Sequence, residues 1–194
     1  TANVTVNGYV ADRKKEYFHK ALSIDNSTSA VYTNLTITST YGGGQTATGK
    51  VYLPQTPENF TYDDDGNLLS DGRWDYEWDG ENRLIEMTAI GSFPAGVAER
   101  LEFSYDFQGR RVSKKVYDEA VGGALLLERK FVYDAWHLLA ELDGSFNLVR
   151  SYVWGIDLSG GIGGAGGVGG LLKIIEYGGG GSSHYVAYDA NGNV

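Results

Sequence analysis

The sequence predicts an all-β protein: a small sandwich-like N-terminal module, then an antiparallel sheet of repeated hairpins. Three observations carry that expectation. Glycine supplies 28 of 194 residues and proline only 3, against a usual glycine share of about 7%. Tyrosine and tryptophan supply 14 and 4 residues against a single methionine, a balance that favours strands over helices. From residue 62 onward an aromatic–aspartate pair recurs, each time with turn-forming residues behind it.

Residues 1–57 read as the front module. In Val31-Tyr32-Thr33-Asn34-Leu35-Thr36-Ile37, the residues Val31, Thr33, Leu35 and Ile37 share one side, a period of two. Residues 50–53 form a second short strand, closed by Pro54 and Pro57, with a glycine turn at 42–44 between the two. Residues 16–24 are ambiguous by pattern, and their Tyr, Phe and Ile favour strand. Half of an immunoglobulin-like sandwich is expected here, since a whole one takes about 100 residues. Residues 54–59 are the expected junction.

Residues 58–194 carry a repeat. Its copies open at Tyr62-Asp63, Trp78-Asp79, Tyr105-Asp106, Tyr133-Asp134 and Tyr188-Asp189. Four residues after each aromatic stand Gly66, Asn82, Gly109, His137 and Gly192, types that tolerate a positive φ. Aspartate first and a left-handed residue fourth describe a type I turn closed by a G1 bulge. The aspartate carboxylate pins such a turn by accepting the N–H two residues on. Starts at 78, 105 and 133 lie 27 and 28 residues apart, while 133 to 188 is 55, or two units. A degenerate unit is therefore expected near Trp154.

The strands between agree with this. Trp74, Tyr76 and Trp78 share a face opposite Asp75 and Glu77, and Leu101, Phe103 and Tyr105 alternate with Glu102 and Ser104. Asp143-Gly144-Ser145 reads as a second kind of hairpin turn. Residues 155–181 hold 13 glycines in 27 and read as a flexible connecting loop.

YDDDGNL at 62–68, WDGENRL at 78–84, YDFQGRR at 105–111 and YDANGNV at 188–194 resemble the Rhs/YD-repeat family of bacterial surface and secreted proteins. The stretch 152–172 is similar to the segment found shortly before that family's core. The resemblance covers residues 59–194. It implies a continuous antiparallel sheet that spirals into a shell or cocoon around a C-terminal cargo, often a toxin released by self-cleavage. It also implies an extracellular or cell-surface location. No cleavage core lies within the 194 residues, so cargo delivery is expected of a longer parent. The opening TANVTVNG lacks an initiator methionine, as a mature product or a fragment would.

Several tempting sites yield to plainer readings. Residues 161–166 satisfy G-x-G-x-x-G, but a dinucleotide site needs a helix N-terminus behind it, and more glycine follows. Asp63, Asp65 and Asn67 imitate the start of a calcium loop, yet Leu68 and Trp74 stand where an EF-hand needs Gly and Glu. His19, His137 and His184 show no ligand spacing, and the chain has no cysteine. No catalytic, cofactor or metal residue is therefore expected.

The chain carries 16 basic and 25 acidic residues, a net charge of −9, which argues against a nucleic-acid partner. No apolar run approaches the roughly 20 residues of a membrane span. The expectation is thus a non-catalytic structural or interaction protein, not an enzyme. It would pair through open sheet edges with copies of itself, into a fibre or tube, or with the rest of a longer YD-repeat chain. The alternatives are a piece of a toxin-enclosing shell and an adhesin stacking glycans on Trp74, Tyr76 and Trp78.

Overall fold

The computed structural model describes residues 3–91, 93 and 99–189. Contact density divides the chain into one unit of Thr1–Asp75 with Ile90–Ala95 and another of Tyr76–Ala89 with Gly96–Val194. Each is described by itself. The chain is all-β and its sheets are antiparallel and open.

In the first unit, β1 (Val4–Val6), β2 (Tyr9–Val10), β5 (Val31–Ser39) and β6 (Gln45–Leu53) form a sheet in the order β2-β1-β5-β6, and β3 (Asp12–Lys14) pairs with β4 (Tyr17–His19). The register of β5 and β6 runs unbroken from Val31↔Leu53 to Ser39↔Gln45. Val31, Thr33, Leu35 and Ile37 therefore face the same way as Leu53, Val51, Gly49 and Ala47. Between β1 and β2 a two-residue turn puts Asn7 and Gly8 at φ 49° and 81°, the left-handed pair of a type I′ hairpin. The Asn7 amide then ties the turn to β5, donating to Asn34 O at 3.1 Å and accepting from Thr36 N at 2.8 Å. β7 (Thr61–Tyr62) and β8 (Leu68–Ser70) complete this unit's hairpins.

β9 (Trp74–Trp78) carries half-buried Trp74, Tyr76 and Trp78 alternating with exposed Asp75 and Glu77. Behind it come β10 (Leu84–Ala89), β11 (Arg100–Tyr105), β12 (Arg111–Tyr117), β13 (Leu125–Asp134), β14 (His137–Asp143), β15 (Leu148–Trp154), β16 (Leu171–Glu176) and β17 (Ser182–Tyr185). Strand order follows chain order without a crossover, the arrangement short local hairpins produce. Among the described residues of the second unit, Ala89 and Phe103 are the buried hydrophobic side chains, so this sheet is a single layer with little core of its own.

Stability comes instead from a device repeated along the sheet. A register shift falls immediately before Tyr62, Tyr105, Tyr133 and Trp154. Such a bulge re-aims the next side chain. Three of these rings, and Tyr188, then reach back to a carbonyl at the start of an earlier strand. Tyr105 Oη donates to Leu84 O at 2.8 Å, Tyr133 Oη to Arg111 O at 3.0 Å, Trp154 Nε1 to Leu138 O at 2.7 Å and Tyr188 Oη to Leu171 O at 2.9 Å. Guanidinium groups cover the rings: Arg83 lies 5.3 Å from the Tyr105 centroid, and Arg110 lies 5.3 Å from that of Tyr133. Tyr133→Phe removes one such hydrogen bond and is expected to cost about 0.5–1.5 kcal/mol, read as a lower urea midpoint at unchanged slope. An unchanged midpoint would mean that the phenol contributes only its ring.

Candidate functional site

The repeat turns share one geometry. The N–H of Asp63, Asp79, Asp106 and Asp143 donates to the carbonyl four residues on, at 2.9–3.0 Å, and each aspartate carbonyl accepts from the residue three on, at 3.0–3.1 Å. That third residue is left-handed: Gly66, Asn82, Gly109 and Phe146 have φ of 87°, 58°, 77° and 66°. Oδ1 takes the N–H groups two and four residues on, and Oδ2 takes the fourth residue's side chain: Asn67, Arg83, Arg110 or Asn147. The Asn67, Arg83 and Asn147 side chains lead in holding Asp63, Asp79 and Asp143 below the ordinary carboxyl range. At Asp106 burial pushes upward, and the Arg110 hydrogen bond and backbone N–H groups more than offset it.

Three features differ from the sequence reading. Asp143 builds the same turn as the repeats, with Phe146 in the glycine position. The turn after Tyr133-Asp134 has two residues, Ala135 and Trp136, so the left-handed residue is Ala135 at φ 46° and His137 starts the next strand. Gly192 lies outside the described residues.

The glycine-rich stretch is a folded cap, and the degenerate repeat is inside it at Asp157. Asp157 N–H donates to Gly161 O at 2.9 Å, Gly160 N–H donates to Asp157 O at 3.0 Å, and Gly160 has φ 79°. Gly161 supplies no side chain for Oδ2. That oxygen accepts instead from Ala165 N at 2.7 Å and Gly167 N at 3.2 Å, while Oδ1 accepts from Ser159 N and Oγ. The Ser159 hydroxyl, then these backbone donors, hold the Asp157 carboxyl down to about 2. Beneath the cap lie His137, 8% exposed, and Trp154, with ring centroids 4.7 Å apart. His137 Nε2 is buried without a hydrogen-bond partner.

A second constellation is a polar row on one face. The register sets Glu141, Arg150, Glu176 and Ser182 side by side across β14–β17. Arg150 Nη2 lies 2.7 Å from Glu176 Oε1, and Nη1 lies 3.4 Å from Glu141 Oε1. Tyr152 Oη donates to Glu141. Ser182 Oγ joins Glu176 Oε2, 3.2 Å away, to His184 Nε2, 2.9 Å away. Arg150, then Ser182, holds the Glu176 carboxyl below its ordinary range, and burial pushes the Tyr152 phenol up. Two carboxylates, a guanidinium, a phenol, a hydroxyl and an imidazole thus stand together. No spacing along the chain announces them, because they meet only through the register of four strands. Among the described residues no group of three or more His, Asp or Glu is placed to hold a metal ion, and no helix is long and apolar enough to cross a membrane.

No family model matches the chain. The chain is 30% identical over 100 residues, 50% of its length, to the tRNA nuclease WapA of Bacillus subtilis strain 168 and to the tRNA(Glu)-specific nuclease WapA of Bacillus subtilis subsp. natto. It is 27% identical over 139 residues, 71% of its length, to the tRNA3(Ser)-specific nuclease WapA of Bacillus spizizenii. The chain spans only 4–5% of the length of these relatives.

These likenesses correct the expectations drawn from sequence. Assignment to the Rhs/YD-repeat family gives way, since no family model matches and the relatives found are named as tRNA nucleases. Physically, the YD motifs specify an Asp-pinned hairpin turn, a local geometry that does not by itself fix family or function. The relatives are named enzymes, so the expectation of a chain without an enzymatic role gives way too. With it goes the non-catalytic structural or interaction protein, whether self-assembling fibre, toxin-shell fragment or glycan-binding adhesin.

Proposed function

We propose that this chain, a front module to residue 57 and a repeat block from 58, serves in a nuclease that cleaves tRNA, acting outside the cell or at its surface. The likeness to proteins named tRNA nucleases carries the reading. A match of 139 residues within a chain of 194 has to include much of the repeat sheet. Relatives named for tRNA(Glu) and for tRNA3(Ser) match at similar identity, which supports placing the choice among tRNAs outside the matched segment. A tRNA partner replaces the expectation, drawn from net charge, of no nucleic acid.

On this chain the polar row has the chemistry for metal-free phosphodiester cleavage. Glu176 or His184 takes the proton of a ribose 2′-hydroxyl, and the 2′-oxygen attacks phosphorus. The P–O5′ bond breaks, the other residue protonates O5′, and Arg150 stabilises the charge gathering on the phosphoryl oxygens. The test incubates tRNA in chelator with the 194-residue chain and, separately, with the longest product of its gene, recovered from medium and cell wall. Cleavage is expected from both, falling roughly 100-fold or more in His184→Ala with unchanged circular dichroism. Cleavage by the longer product alone would remove the polar row from the mechanism. Cleavage by neither would overturn the nuclease reading, and activity found only in cytosol would overturn the location.

A further inference from the structure

The second unit gathers its repeat turns at one end. Strands alternate in direction, so the turns 79–83, 106–110 and 135–136 and the cap 155–170 all emerge together. They touch in succession: Arg83 Nη1 donates to Asp106 O at 3.3 Å, Arg110 Nη1 donates to Ala135 O, and His137 lies under Gly163 and Gly167. The tips change character along this column. Glu81 heads the first turn, but Phe107 is 91% exposed at the second, Trp136 66% at the third, and Ile162 77% on the cap, where Ile156 and Leu158 are exposed as well. Exposed apolar side chains this large, set side by side, mark an interaction surface.

The cap's polar groups are turned inward. Asp157 is the only charged residue between 155 and 170, and it is 5% exposed with both oxygens occupied by the cap. The backbone N–H groups of Gly155, Asp157, Leu158, Ser159, Gly160, Ala165, Gly166, Gly167, Val168 and Gly170 are all bonded within the cap. A surface with its own hydrogen bonds closed and no charge outward suits a medium that offers neither donors nor acceptors. Behind the tips stand Tyr105, Tyr133, Arg110 and Arg111, lining the cleft beside Trp136. Apolar tips outermost, with phenols and guanidinium groups behind them, follow the order of a bilayer from acyl chains to headgroups. The tips protrude rather than enclose a groove, which a fluid interface accommodates without a complementary pocket. Asp134 is exposed at the base of its turn, and the chain is acidic, so the surface that fits is uncharged overall.

We propose that this turn end docks on a zwitterionic lipid bilayer, with Phe107, Trp136 and Ile162 entering its interface. No strand or helix crosses the membrane in this arrangement; the tips lie in one leaflet. The test floats the 194-residue chain with phosphatidylcholine vesicles. Binding is expected, reduced roughly tenfold or more by Phe107→Ser with Trp136→Ser and likewise by Ile162→Asp. It should be unchanged by Val121→Ser, whose side chain is 85% exposed at the opposite end of the strands. All three side chains project into solvent, so circular dichroism should be unaltered. Failure to float, binding that survives both tip variants, or binding only to phosphatidylserine vesicles would overturn the proposal. A dimer seen by light scattering and dissolved by the double variant would assign the tips to a second copy instead, and would overturn it too.

Discussion

Gly167→Ala is expected to destabilise the repeat unit by about 2–5 kcal/mol and to strip the cap from the ring pair beneath it. Two costs combine. Gly167 has φ +84°, a conformation that costs an L-residue roughly 1–2 kcal/mol. An added Cβ would also stand 3.0 Å from Cδ2 and Nε2 of His137 and 3.1 Å from Cζ3 of Trp154, closer than packed carbons sit. Overpacking of that kind costs about 1–3 kcal/mol, and neither ring can retreat freely. Trp154 is held by its hydrogen bond to Leu138 O, and His137 lies on β14. Gly166 is the matched control. It has φ +67°, and an added methyl there would meet nothing within 4 Å, so Gly166→Ala should show the backbone cost alone. Urea unfolding followed by tryptophan fluorescence measures both. Equal midpoints for the two variants would show that the cap does not press on His137 and Trp154.

The contrast between these two glycines also marks what a sequence can and cannot announce. The Asp-pinned turns were legible because every bond in them closes within five residues, so residue types at fixed offsets suffice. The same logic missed Asp143, since Phe146 takes the left-handed position without looking like a turn residue. It missed Asp157 because Gly161 has no side chain to complete the signature. His137 was set in a left-handed slot because its offset from Tyr133 fits. A two-residue turn instead moves it into β14, where the cap covers it. Glycine density in 155–181 reads as flexibility when chain entropy alone is considered. What folds the stretch is one carboxylate that gathers backbone donors up to ten residues away. The polar row lay further out of reach: Glu141, Arg150, Glu176 and His184 meet only once bulges and a 16-residue cap have set the register of β14–β17.

Asp157→Asn is expected to open the cap while leaving β11–β14 folded. The carboxylate accepts two bonds from Ser159 and one each from the N–H groups of Ala165 and Gly167. An amide nitrogen in the Oδ2 position would face two donors with a third, leaving buried N–H groups unpaired. Hydrogen exchange at residues 159–168 should lose its protection, while the strand amides of β11–β14 keep theirs. Acid should do the same to the native chain, within a window fixed by the carboxyl's own shift. Its pKa falls from 3.8 to about 2 on folding, so the folded state favours the ionised form. The cap's share of stability is then complete above pH about 4 and lost as pH falls toward 2. Cap protection that disappears in that window, in a chain whose Asn variant lacks it at every pH, would tie the fold of the glycine-rich segment to this one charge. Protection lost already near pH 6, or retained in Asp157→Asn, would place the organising group elsewhere. The carboxylate matters to the cap's surface as well as to its fold. Every donor it draws inward is one that the exposed tips Ile156, Leu158 and Ile162 need not share their face with.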